Sequence, residues 1–108
     1  MDILFEVKTP LDAKVRTTKE YWERIINVKH PSVQPFKNEV KKTLLDPDQI
    51  RRSTKDSNVN LYYKSVGKLS LCVVVDCTAM QESYIITVYL TDRIKEGDQI
   101  YVKRKDLL

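Results

Sequence analysis

The sequence predicts an α+β fold in which two N-terminal helices pack on a curved, mainly antiparallel β-sheet. Three observations predict it. Helical periodicity is confined to residues 17–45, period-two alternation dominates from Gln49 onward, and the long strands are joined by connections of hairpin length. Helices and strands segregated along a chain, rather than interleaved, pack as a layer of helices on one face of one sheet. The 108 residues fit a single domain spanning 1–108, long enough to bury a core without metal or disulfide support.

Each element has a local cause. "ILFEVKTPL" opens as a short strand, with Ile3, Phe5 and Val7 alternating against Leu4, Glu6 and Lys8 until Pro10 ends it. "TTKEYWERIINVK" is a helix, and Thr17 and Glu20 have the spacing of a capping box at its start. Trp22, Ile25, Ile26 and Lys29 follow at i, i+3, i+4 and i+7, so Trp22 belongs to a core stripe. Pro31 disfavours helical angles at His30, which ends this helix. A second helix over Val33–Leu45 buries Val33, Phe36, Val40 and Leu44 and exposes Lys37, Asn38, Lys41 and Lys42. Pro35 is tolerated in its first turn, and "DPD" at 46–48 breaks it. The remainder reads as strands "QIRRS", "VNLYYKSV", "LSLCVVVDC", "SYIITVYLT" and "QIYVKR", with a turn at Gly67-Lys68 between the second and third.

Composition narrows the class of function. No segment approaches the uncharged apolar length a membrane span needs. The first residues lack the basic-then-apolar order of a secretory signal, so the expected compartment is the cytoplasm. Cys72 and Cys77 are five residues apart in what reads as one strand, which sends them to opposite faces and prevents pairing. With one histidine and no C-x-x-C spacing, neither a structural zinc site nor any other cofactor is expected. The net charge of +4 collects in residues 14–52, which carry ten Lys or Arg against five Asp or Glu. Positive charge gathered in one half suits a polyanionic partner, or simply a solvated helical surface.

Strand parity sorts the chemistry-bearing side chains. Tyr84, Ile86, Val88 and Leu90 fall on one face of their strand, and Ile85, Thr87, Tyr89 and Thr91 on the other. Asn60, Tyr62 and Lys64 alternate with Val59, Leu61 and Tyr63, and Arg51 and Arg52 point to opposite faces, so at most one joins a given cluster. A sheet with one apolar face is covered by helices on that side and open to a ligand on the other.

The ordered set "VRTTKEYWERIINVKHPSV", "LLDPDQIRRS", "LYYK", "LCVVV" and "YIITVYLTDRIKEG" resembles small bacterial proteins of the barnase–EndoU–colicin–RelE nuclease-like superfamily. The likeness is to toxin-like or phage-associated ribonuclease domains and covers about Val15 to Gly97. It implies a RelE/barnase-like arrangement and marks His30, Arg51 or Arg52, Lys64, Thr87 and Tyr89 as catalytic candidates. Lys64 stands where an arginine is frequent and Val88 where alanine is usual, and lysine is the poorer bidentate binder of phosphate.

Metal-independent RNA cleavage needs a base for the 2′-hydroxyl proton, cations for the charged phosphorane, and an acid for the departing 5′-oxygen. The negative end of a helix favours a cation, which makes His30 the acid or electrostatic partner. Arg51, Arg52 and Lys64 are the expected phosphate clamps, and Thr87 and Tyr89 the expected orienting groups. Tyr62 or Tyr63 would stack on a base, and Lys41 and Lys42 would add to substrate binding. The function expected is a metal-independent ribonuclease, as the toxin of a toxin–antitoxin pair, whose partners are RNA, free or on the ribosome, and an antitoxin protein. The alternative is a non-catalytic RNA- or partner-binding module using the same basic, aromatic face. A protein adaptor built on Trp22 is the weakest reading, since core packing explains that residue.

Overall fold

A computed structural model describes residues 2–95 and 97–104. Seven strands form one sheet: β1 Ile3–Lys8, β2 Lys14–Thr18, β3 Gln49–Ser53, β4 Val59–Val66, β5 Leu69–Asp76, β6 Ser83–Thr91 and β7 Gly97–Val102, in the spatial order β1-β2-β6-β5-β4-β3-β7. Every adjacent pair is antiparallel except β2 with β6. The helices α1 Lys19–Arg24 and α2 Lys37–Leu45 lie in the connection from β2 to β3. The α+β class and the mainly antiparallel sheet are therefore as expected. The helices, however, follow two strands rather than opening the chain.

The unexpected strand is β2. Val15 and Thr17 are buried on one face while Lys14 is exposed and Arg16 half-buried on the other. Five residues with two β-branched positions inward are a short half-buried strand. The motif T-x-x-E hid it by drawing Thr17 into the helix. The cap is one residue later: Thr18 Oγ1 accepts from the Tyr21 amide at 3.1 Å, which leaves Thr17 in the strand.

Beyond α1 the coil widens into a π-turn over Ile25–Lys29, closed by the His30 amide donating to the Ile25 carbonyl at 2.7 Å. Pro31 causes the break: it has no N–H to continue the ladder, and it pushes His30 to an extended φ of −146°. A 3₁₀ segment, Pro31–Phe36, then leads into α2.

The main core lies between the helices and one sheet face. Trp22, Ile25, Val33, Val40 and Leu44 meet Ile50, Tyr62, Leu71, Val73, Val75, Ile85 and Val88. A second, smaller cluster on the opposite face contains no helical residue: Leu61, Tyr63 and Cys72, with Val59, Val74 and Tyr89 against them. That opposite face is open. Among the described residues, no helix is long and apolar enough to cross a membrane.

Strand β6 departs from simple alternation. Val74 pairs with Thr87 but Val75 pairs with Ile85, so Ile86 is an extra residue in a β-bulge. The bulge reverses parity within the strand. Ile85 joins Val88 in the core, and Tyr84 moves to the face of Thr87 and Tyr89, correcting the expected grouping of Tyr84 with Val88. The bulged carbonyl of Ile86 accepts from the Tyr21 hydroxyl at 2.6 Å and from Lys29 Nζ at 3.1 Å. Strand β2 pairs only with Ser83 and Tyr84 of β6, so Tyr21 and Lys29 cover the edge that β2 leaves bare at Ile86.

Candidate functional site

The register orders the open face into three rows. Arg51, Leu61, Val74 and Thr87 lie side by side across β3, β4, β5 and β6, and Gln49, Tyr63, Cys72 and Tyr89 form the next row. The third runs Val59, Asp76, Tyr84, Arg16 and Glu6 across β4, β5, β6, β2 and β1. A shallow groove of about 380 Å³ opens over the first two rows. It is lined by Leu61, Val74, Thr87 and Tyr89 of the sheet and by Lys55 and Lys95 of the loops.

His30 does not line this groove but packs against Tyr89, which does. Its ring centroid is 5.8 Å from that of Tyr89, tilted by 42°. The contact exists because β2 has left β6 by this point, so the turn before Pro31 can reach past the strand edge to the open face. Lys95 Nζ lies 5.4 Å from the same ring, and the Lys95 amide donates to the Tyr63 hydroxyl at 3.2 Å. Thr87 Oγ1 is enclosed and has no hydrogen-bond partner.

The tyrosines and the thiol beneath them are neutral groups. Burial pushes the Cys72 thiol up to about 11 and raises Tyr63 as well. It raises Tyr89 further still, with Cys72 and Tyr63 adding in the same direction. Neither Cys72 nor these phenols is therefore a ready base or nucleophile near neutrality. Cys72 and Cys77 are both free, and the Cys77 thiol donates to the Asn58 carbonyl at 3.0 Å. Among the described residues, no three His, Cys, Asp or Glu side chains are grouped to hold a metal ion.

Of the residues singled out by sequence, Thr87 and Tyr89 line the groove, His30 packs against Tyr89, and Tyr63 lies in the same row as Tyr89 on the other side of Cys72. Arg51 shares their face, but Thr87 is three strand spacings away, roughly 14 Å. Its Nε donates to Gln49 Oε1 at 2.7 Å and its Nη1 to the Gly97 carbonyl at 3.0 Å.

The other candidates lie elsewhere. Lys64 pairs with Leu71 on the helix-covered face, where Nζ donates to the Asp46 carbonyl at 2.8 Å and faces Asp46 and Asp48 carboxylates at 3.6 and 3.8 Å. It holds the end of α2 to the sheet. Asp46 is kept below the usual carboxylate range chiefly by its hydrogen bond from Lys103, with Lys64 contributing. Arg52 pairs with buried Asn60 and so also points away from the groove. Tyr62 is fully buried in the main core and donates to Thr9 Oγ1 at 3.0 Å, so it cannot stack on a base. Lys41 and Lys42 lie on α2, in the layer on the opposite face, with Lys41 Nζ 5.4 Å from the Phe5 ring.

Lys95 and Lys55 are the cations that sequence reasoning missed. Both sit in loops, where neither period two nor period 3.6 assigns a direction. "DRIKEG" after a strand bearing Thr87 and Tyr89 was the available signal for Lys95. Compared with known protein families, curated proteins and solved structures, the chain matches none.

Proposed function

We propose that the open sheet face binds single-stranded RNA and that its His30 end cleaves the bound strand without a metal. The observation that supports this reading is the meeting of the lone imidazole with Tyr89, beside Lys95 and the unpartnered Thr87 hydroxyl. The 2′-oxygen attacks the adjacent phosphorus as solvent takes its proton. The bond to the 5′-oxygen breaks, and His30, as imidazolium, protonates that oxygen, leaving a cyclic phosphate and a 5′-hydroxyl. Lys95 offsets the charge of the phosphorane and Thr87 donates to one of its oxygens. Lys55 and the free edge of Arg51 hold phosphates farther along the groove.

A RelE/barnase-like fold, a cytoplasmic setting and a toxin role, with an antitoxin covering the groove, complete the proposal. A second reading, RNA binding without cleavage, is favoured by the removal of Lys64 and Arg52 from the open face. Incubation of RNA with the protein in chelator separates the two. Cleavage to cyclic-phosphate ends that falls by about 10²–10⁴-fold in His30→Ala, with RNA binding retained, is expected. Salt-dependent binding with no cleavage by the unaltered protein leaves only the second reading.

A further inference from the structure

The residue before His30 and the residue before Thr87 are tied to each other. Lys29 Nζ donates to the Ile86 carbonyl at 3.1 Å and to the Tyr21 hydroxyl at 2.8 Å, and that hydroxyl donates to the same carbonyl at 2.6 Å. The phenol thus spends its one proton on Ile86 and a lone pair on Lys29, and the carbonyl uses both of its lone pairs. Three elements meet in this triangle: α1 supplies Tyr21, the π-turn supplies Lys29 and the β-bulge supplies Ile86. The backbone explains why the carbonyl is available. Strand β2 pairs with β6 only as far as Tyr84, and the bulge leaves Ile86 without an opposite residue on β5. Water satisfies a carbonyl at an exposed strand edge, so the fold has no need of two side-chain donors there. Lys29 is itself exposed and gives up rotamer freedom to be held. A clasp that stability does not demand points to something being positioned.

We infer that Tyr21 and Lys29 are positioning residues that seat the His30 imidazole against Tyr89 and fix its distance from Thr87. The inference rests on reading His30 as the acid of a ribonuclease. The turn that carries His30 needs such a tether. Its closing bond, from the His30 amide to the Ile25 carbonyl, stays within the turn and fixes nothing relative to the sheet. Pro31 has no N–H to offer, and His30 lies outside helical angles at φ −146° and ψ 78°. Ile25 and Val33 are buried on either side, but Asn27, Val28 and Lys29 between them are exposed. Core packing therefore anchors the flanks of this arc and leaves its crest to the clasp. One residue beyond each end of the clasp lie the imidazole and the unpartnered Thr87 hydroxyl. A misplacement of about 1 Å between reacting groups costs about 10²-fold in rate, so a link this close to both controls the chemistry without touching substrate.

His30 is the only histidine in the chain, so its ring protons give one assignable NMR signal, displaced by the Tyr89 ring current. Tyr89→Leu in the whole protein defines the signal of the unpacked imidazole. Lys29→Met and Tyr21→Phe are each expected to move the signal towards that position, and Lys29→Arg, which keeps a donor, to leave it near that of the unaltered protein. In RNA cleavage the first two variants are expected to lower kcat by about 10–100-fold with KM within about threefold. Their thermal midpoints are expected to fall by no more than about 8 °C, the loss of one hydrogen bond in a domain of this size. A His30 signal unmoved in both Lys29→Met and Tyr21→Phe overturns the inference. Cleavage by the unaltered protein that neither variant diminishes overturns it while leaving the ribonuclease reading standing. A signal that moves in both variants of a protein that cleaves no RNA supports the clasp while that reading falls.

Discussion

The imidazole of His30 packs against the phenol ring of Tyr89, 5.8 Å between centroids, although 59 positions separate them in the chain and no strand pairing joins them. The contact depends on a π-turn that ends at a proline and on a strand edge that its neighbour has vacated. It separates the roles of two groups that the sequence placed in one site. Lys64→Ala is expected to leave RNA cleavage within about threefold of the unaltered protein and to lower stability by about 1 kcal/mol, because its ammonium satisfies the Asp46 carbonyl. Parallel measurement of cleavage rate and urea unfolding checks both. A loss of cleavage comparable to that in His30→Ala, with stability unchanged, would return Lys64 to the site.

Salt dependence locates the phosphate path. If single-stranded RNA crosses the groove, the slope of log affinity against log salt falls by about 0.7 for each phosphate contact removed. Lys55→Ala and Lys95→Ala are each expected to lower the slope by that amount. Lys41→Ala and Lys42→Ala, on the helical layer, are expected to leave it unchanged. The opposite pattern would place the RNA on the helices.

Alkaline pH should weaken the fold in a defined window. Burial raises Cys72 from 9.0 to about 11 and Tyr62 from 10.0 to about 12. Between each pair of values the unfolded chain has lost a proton that the native chain keeps, so stability falls as pH rises. It is complete below about pH 9 and declines to about pH 12, by about 2–3 kcal/mol for each group. Urea unfolding from pH 8 to 11 measures the slope, and Cys72→Ala is expected to flatten its first part. A flat profile in the unaltered protein would falsify the assignment.

The two glycines should respond differently to alanine. Gly67 has φ +61° with open space around the position of a Cβ, so Gly67→Ala is expected to cost about 1 kcal/mol of left-handed strain. At Gly97, with φ +157°, a Cβ collides with the backbone carbonyl oxygen of Arg52. Gly97→Ala therefore displaces β7 from β3 and disturbs the carbonyl that accepts from Arg51, and it is expected to cost at least twice as much. Thermal unfolding of the two variants gives the comparison, and equal midpoints would contradict it.

Local pattern was enough for much of this molecule. The spans of β4 and β6 are the runs "VNLYYKSV" and "SYIITVYLT", the hairpin turns at Gly67, and the π-turn that continues the first helix stops at His30, because each depends on neighbours within a few residues. Side-chain alternation, φ > 0 at glycine and the missing N–H of proline act over that range. Which candidates share a site was settled by long-range pairing instead. One bulged residue, Ile86, turned Tyr84 outward and Ile85 inward, since a shift of one position reverses every side chain beyond it. The pairing of Lys64 with Leu71 sent that ammonium to the helical layer, and the loop after β6 brought Lys95 to the groove in its place. The chain carries its elements in short-range chemistry. Its face assignments come from strand register, which exists only once residues far apart have paired.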